Sequence, residues 1–171
     1  MWGPFWVLYV VRYLGVSPAV MGILIACGGA AALVGAALVP WLNARLPAGL
    51  GLIGAFAIKT VALALLPLAG LLPALVLPLL VLQQLLADSV TSYFAVNERT
   101  LRQKRVPNAQ LGRAAATIAV VNDGPVPLGA LIAGLLVQLV SLDTVLWIGV
   151  AGYALSPLVA LLSPVRNLRR I

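Results

Sequence analysis

Histidine is absent from the 171 residues, and Cys27 is the single cysteine. No intramolecular disulfide, Cys/His metal site or Cys/His nucleophile pair can be built from that inventory, so redox and zinc chemistry drop out and no metal is expected. Acid is almost as scarce, with Asp88, Glu98, Asp123 and Asp143 as the four carboxylates. Paired catalytic carboxylates and a Ser/Lys constellation are missing at credible positions, so neither an intramembrane enzyme nor a cofactor is expected. Charged residues of both signs make up 9% of the chain, against roughly a quarter in a soluble domain. Aromatics make up 6%, and the alternating ten-residue segments of a membrane barrel do not occur.

What fills the chain instead is apolar: 63% hydrophobic residues and a mean hydropathy of +1.10. No soluble core of this length hides so much apolar surface, whereas an apolar run of about 20 residues spans a bilayer as a helix. The expected fold is all-α, a polytopic membrane bundle of about six helices forming one domain with the lipid bilayer as its solvent. The opening residues MWGPFWVLYVVRYLGV lack the basic stretch that precedes the apolar core of a secretory signal. They read as a first span that looks short.

Spans are expected at about 2–14, 18–41, 50–69, 73–96, 112–139 and 143–163. The breaks carry turn chemistry: Gly15 to Pro18, Asn43 to Pro47, Gly70 to Pro73, a long hydrophilic stretch from Asn97 to Arg113, and Ser141 to Asp143. Pro18 suits the first turn of a helix, where its missing N–H costs nothing. With the N-terminus inside, nine basic residues fall on the cytoplasmic side: Arg45, Arg99, Arg102, Lys104, Arg105, Arg113, Arg166, Arg169 and Arg170. Arg12 alone falls outside, and Lys59 lies within a span. That asymmetry predicts both termini in the cytoplasm and accounts for the net charge of +7 without nucleic acid. Trp41, Trp147 and the group Trp2, Trp6 and Tyr9 fall near expected interfaces, as belt aromatics do.

Small residues mark packing faces. Gly28, Ala32 and Ala36 stand one turn apart in the second segment, and Gly129, Ala130 and Gly134 make a similar face in the fifth. Such faces let helix backbones approach, either within the chain or against another half-bundle. Gly124, Pro125 and Pro127 in the fifth segment and Pro157 in the sixth remove backbone bonds and would kink or hinge their helices.

Lys59, Asp88 and Asp123 lie well inside expected spans. At 1.5 Å per residue their depths are about 14, 12 and 16 Å from the cytoplasmic ends, one layer near the middle. A bare charge there costs at least ~3 kcal/mol, so such groups face the bundle interior. A Lys59 to Asp88 pair would remove two penalties at once. Alternatively Asp88 or Asp123 takes up and releases a proton, since low-dielectric surroundings favour a neutral carboxyl. Gln83, Gln84 and Tyr93 surround Asp88 and make the fourth segment the most polar.

The run from Phe94 to Gln103, with Val106-Pro107 and Leu111-Gly112-Arg113, resembles the loop between helices ten and eleven of major facilitator superfamily exporters, in the group resembling the enterobactin exporter. Pro127 to Ala130 with Gly134, and Leu162 to Arg166, resemble that group's eleventh helix and tail. The second segment followed by Asn43-Ala44-Arg45 is similar to helix eight and its signature loop, with Asn43 where an acid is usual. Ala95 and Thr100 stand where the family has Asn and Ser. The resemblance implies helices seven to twelve, the C-terminal half of a twelve-helix transporter, with the first span cut short as in a truncated half. It implies a cavity lined by Tyr9, Gln83, Gln84, Asp88 and Tyr93, and a cytoplasmic loop carrying Arg99, Arg102 and Arg113. It further implies proton-driven efflux of a small-molecule substrate through the cell membrane, with an N-terminal half-transporter or a second copy as partner. The alternative reading is a non-transporting membrane subunit or an inactive truncated fragment.

Overall fold

Ser17 holds φ −66° and ψ 150°, and its hydroxyl accepts from the Val20 amide at 3.4 Å, so the chain turns into a long helix at Pro18. Gly15 makes that turn possible with φ +68°, a left-handed conformation that glycine adopts without strain. The computed structural model describes residues 2–164, with side chains from residue 5 onward; Trp2 as a belt residue and the tail arginines Arg166, Arg169 and Arg170 lie outside what it describes. Among the described residues the chain is helical, without strands.

Helix α1 (Trp2–Leu8) passes directly into a π-helical turn (Tyr9–Tyr13); α2 (Pro18–Arg45) and α3 (Ala48–Leu71) follow. A short 3₁₀ turn leads into α4 (Val76–Arg105), and another into α5 (Leu111–Asp123). α6 (Pro125–Leu139) and α7 (Leu142–Leu162) complete the chain, the latter capped by Ser141, whose hydroxyl accepts from the Thr144 amide at 3.3 Å. Among the described residues, five helical stretches are long and apolar enough to cross a membrane. The first segment, seven α-helical and five π-helical residues, reaches about 18 Å at 1.5 Å per residue, against a hydrocarbon thickness of ~30 Å. Within the described residues the first of the six expected spans is a short helix docked on the bundle.

Two helices run beyond their expected ends. α2 continues to Arg45, and α4 continues through Asn97 to Arg105, so Arg99 and Arg102 belong to a helix rather than a loop, and Arg113 sits in the opening of α5. Cations are favoured at a helix C-terminus, and Arg102 pairs one turn back with Glu98 at 3.1 Å. Arg45, Arg99, Arg102, Lys104, Arg105 and Arg113 gather at one end of the bundle, while Arg12 lies in the turn at the other.

α4 is the central element, packed on α2 and on α3, with α7 against α3. α2 and α4 run in the same direction, joined by Gln84 to Leu24 near one end and Asn97 to Asn43 at the other. The buried positions of α2 are Leu24, Gly28, Ala31, Gly35 and Val39, stepping by three or four residues, close to the helical period of 3.6, so that one face stays toward its neighbour. This corrects the expected face of Gly28, Ala32 and Ala36: a strict four-residue row drifts around the helix, and Ala31 and Gly35 take the contact. A Cβ on Gly35 would stand 2.5 Å from the Ser89 carbonyl oxygen and 2.6 Å from its Cα. Two backbones meet there.

α5 and α6 divide what was expected as one span. Pro125 and Pro127 carry no N–H for the carbonyls of Val121 and Asp123, and the helical hydrogen bonding is interrupted at Gly124, whose own amide still bonds Val120 at 2.9 Å. A Cβ on Gly124 would collide with that same Val120 carbonyl oxygen. Gly124→Ala is therefore expected to cost about 1–3 kcal/mol by overpacking, read from thermal unfolding in detergent. α7, by contrast, continues through Pro157. Within α6, Ala133 is buried and Gly134 is exposed, so the small-residue face of this helix is largely open.

Candidate functional site

α4 carries the polar side chains, and each turn sends them to a different neighbour. At the end opposite the basic residues, Gln83 is 5% exposed and its Oε1 accepts from the Trp6 indole at 3.0 Å. The neighbouring Tyr9 is fully buried, stacks on Tyr13 at 4.8 Å, and donates its hydroxyl to Asp143 at the start of α7. Tyr9 and Gln83 thus anchor the first segment rather than line a cavity. A buried polar group that has found its partner is cheap to keep, whereas the same group left unpaired is costly.

One turn along, Gln84 and Asp88 face α2. The Gln84 amide approaches the Leu24 carbonyl at 3.5 Å, and the Asp88 carboxylate lies against Gly28, where a Cβ would collide with it. Ser89 donates to the Ala31 carbonyl at 2.9 Å. Lys59 approaches α4 from α3: its Nζ donates to the Ala87 carbonyl at 2.9 Å and to Thr91 Oγ1 at 2.7 Å. The expected Lys59 to Asp88 ion pair is not formed. Asp88 follows Ala87 by 100° around the helix, so its carboxylate turns to α2 while the ammonium is held by a backbone carbonyl and a hydroxyl. Asp88 accepts no hydrogen bond among the described residues. Because Thr91 also donates to the Ala87 carbonyl at 2.7 Å, Lys59→Met leaves that acceptor satisfied. The variant is expected to match or slightly exceed the parent's stability in detergent unfolding, since a buried cation gives way to an apolar chain.

Near the basic end, Tyr93 donates to Asn43 Oδ1 at 3.3 Å, the Asn43 amide donates to Asn97 Oδ1 at 2.6 Å, and the Asn97 amide donates to the Tyr93 carbonyl at 3.0 Å. This relay ties α2 to α4, and both Tyr93 and Asn97 are buried. Asn43 and Asn97 did not stand out as partners in the sequence. Their signal is an amide near the basic end of each of two helices that run the same way. At Asn43 the amide does what a carboxylate cannot, donating and accepting at once.

Asp123 is exposed at the end of α5, away from Lys59 and Asp88, because α5 packs loosely on α4. The gap between these helices is a cavity of about 600 Å³ whose walls include Thr91, Asn97, Glu98, Arg99 and Asn122. That volume suits a small molecule, and Thr91 connects it to Lys59. The residues expected to share one cavity are instead spread over three interfaces, and this cavity of α4 and α5 is an open space with polar groups in its walls. Of the expected belt, Trp41 and Trp147 are exposed near opposite ends, while Trp6 and Tyr9 are engaged inside. Compared with known proteins, the chain matches no family model, no curated protein and no protein of solved structure.

Proposed function

We propose that this chain is one half of a secondary transporter that exports a small molecule across the cell membrane, with proton exchange at Asp88 driving the cycle. One observation carries the reading: an acidic side chain sits mid-span in the close α2 and α4 interface, near a cation and without a hydrogen bond of its own. Such a group is expensive to hold in a membrane and is ordinarily functional. Protonation would remove its charge from the interface and its attraction to Lys59, giving the two helices a reason to shift. The resemblance of the 94–113 region to exporter loops supports the same reading. So does the loosely packed α5 and α6 arm beside a cavity of small-molecule size, which offers a surface to an N-terminal half or a second copy. The basic asymmetry of the sequence supports a cytoplasmic position for both termini.

A second reading, a packing subunit without transport, draws on the relay of Tyr93, Asn43 and Asn97 and on the Trp6 to Gln83 bond, which spend their polar groups on structure. Reconstitution separates the two. The chain is placed in proteoliposomes alone and with a co-expressed six-span partner, and dye export is followed under an imposed proton gradient. Gradient-dependent export that falls at least about tenfold in Asp88→Asn, as removal of a positioned proton-transfer group does, is the expected result. Export that ignores both the gradient and Asp88→Asn would overturn the proposal. Asp88→Asn should leave unfolding within about 0.5 kcal/mol of the parent, since no intrachain hydrogen bond is lost.

A further inference from the structure

α2 and α3 leave their shared turn as the two walls of a groove whose floor is α4. Leu38, Leu42 and Leu46 line one wall and Leu50, Gly54 and Ile58 the other, around about 420 Å³. Two hydroxyls reach the floor, and both are already committed: Ser89 donates to the Ala31 carbonyl and Tyr93 to Asn43. Nothing in the groove asks for a polar ligand. The walls run from Gly35 to Leu46 and from Leu50 to Ile58, about 16 and 12 Å at the rise of a helix, which is close to the ~15 Å of hydrocarbon in one leaflet. The groove begins at the basic end and stops near mid-span. A partner helix would instead cross the whole ~30 Å. Arg45 stands at the open end, next to Leu46, exposed and stacked on Trp41 with its guanidinium 4.2 Å from the ring centroid. No carboxylate pairs with it among the described residues.

We infer that this groove binds one acyl chain of an anionic phospholipid, with the phosphate of its headgroup held at Arg45. Hydrocarbon fills the walls to the depth of a single leaflet, Trp41 sits at the level of the headgroups, and the unpaired guanidinium supplies the charge preference.

Gly54 gives a clean test. A Cβ there meets nothing within 4 Å and the residue lines the groove, so Gly54→Leu starts its side chain in open space and fills the volume an acyl chain would take. Gly29 is equally unobstructed but exposed on another face of α2, so Gly29→Leu is the control. Each variant is reconstituted in nanodiscs of equal phosphatidylglycerol and phosphatidylcholine, and retained lipid is counted by native mass spectrometry. The parent and Gly29→Leu are expected to keep one lipid, with phosphatidylglycerol preferred about fivefold, the worth of one basic contact at a membrane surface. Gly54→Leu should lose it, and Arg45→Gln should keep a lipid without the headgroup preference. Spin-labelled lipids on the unmodified protein give a second reading that needs no variant: the motionally restricted fraction should be larger for phosphatidylglycerol than for phosphatidylcholine. Full retention in Gly54→Leu, equal restriction of the two lipids, or a dimer that Gly54→Leu dissociates would each overturn the inference.

Discussion

Gly35→Leu is expected to separate α2 from α4 and to cost the bundle about 3 kcal/mol or more, the upper end of what overpacking does. The reason is what a new side chain would meet. At Gly35 the nearest atoms are the carbonyl oxygen and Cα of Ser89, at 2.5 and 2.6 Å. These are backbone atoms of a helix, which no rotamer change can move. Helices in a membrane gain little from burying apolar surface against one another, because lipid is as apolar as leucine; close packing and interhelical hydrogen bonds hold them together. The Ser89 bond to Ala31 and the relay of Tyr93, Asn43 and Asn97 both depend on this approach, so the substitution strains the seam above and below itself. Gly28→Leu is a milder case, since its new side chain would meet the carboxylate of Asp88 and the amide of Gln84, which can swing away. Gly29→Leu, with nothing within 4 Å, should stay within about 0.5 kcal/mol of the parent. Unfolding of the three variants in detergent, followed by circular dichroism, checks the order. If Gly35→Leu unfolded like Gly29→Leu, the seam would not be the contact that organises the bundle.

The contrast between these glycines shows where a sequence stops being readable. Hydropathy places the helices because the bilayer imposes length and apolarity on any span, and that constraint acts locally on the chain. The existence of a small-residue face on α2 is legible in the same way. Its register is not: choosing Ala31 and Gly35 over Ala32 and Ala36 depends on the direction in which α4 crosses, which is a property of two helices. The helical reach of α4 to Arg105 goes unread for a related reason, since a polar stretch reads as a loop until the Glu98 to Arg102 pair and the Asn43 to Asn97 bond give it something to hold. Lys59 and Asp88 are the sharpest case. Depth along the helices brings them to one layer, and Lys59 does reach α4 one residue from Asp88, but one step of 100° turns the carboxylate toward α2 and leaves the ammonium to Ala87 and Thr91. Depth is encoded in the sequence position; azimuth is settled by the neighbours.

Tyr9→Ala should release the first segment from the bundle and cost about 3–5 kcal/mol, as truncation of a buried aromatic does. The first segment is tied to the bundle by side-chain contacts, and the fully buried Tyr9 is central to them. Its ring is fully buried in a cluster with Leu66 of α3, Leu80 of α4 and Leu146 of α7, so a single side chain joins three spanning helices to the short one. Its hydroxyl donates to Asp143, and the space for it exists because residue 70 is glycine: a Cβ there would collide with the Tyr9 oxygen. Tyr9→Phe separates the two contributions, keeping the ring and removing the donor, at a cost of about 1–2 kcal/mol for the hydrogen bond to a carboxylate. Gly70→Ala should resemble Tyr9→Phe or exceed it, because it pushes the hydroxyl off its acceptor without touching Tyr9 itself. Hydrogen–deuterium exchange over residues 5–13 reports the release directly, and the loss of the Trp6 to Gln83 bond should accompany it as a change in tryptophan emission. Unchanged protection of those amides in Tyr9→Ala would mean that the Trp6 contact alone holds the segment, and Trp6→Phe would then produce the release that Tyr9→Ala did not.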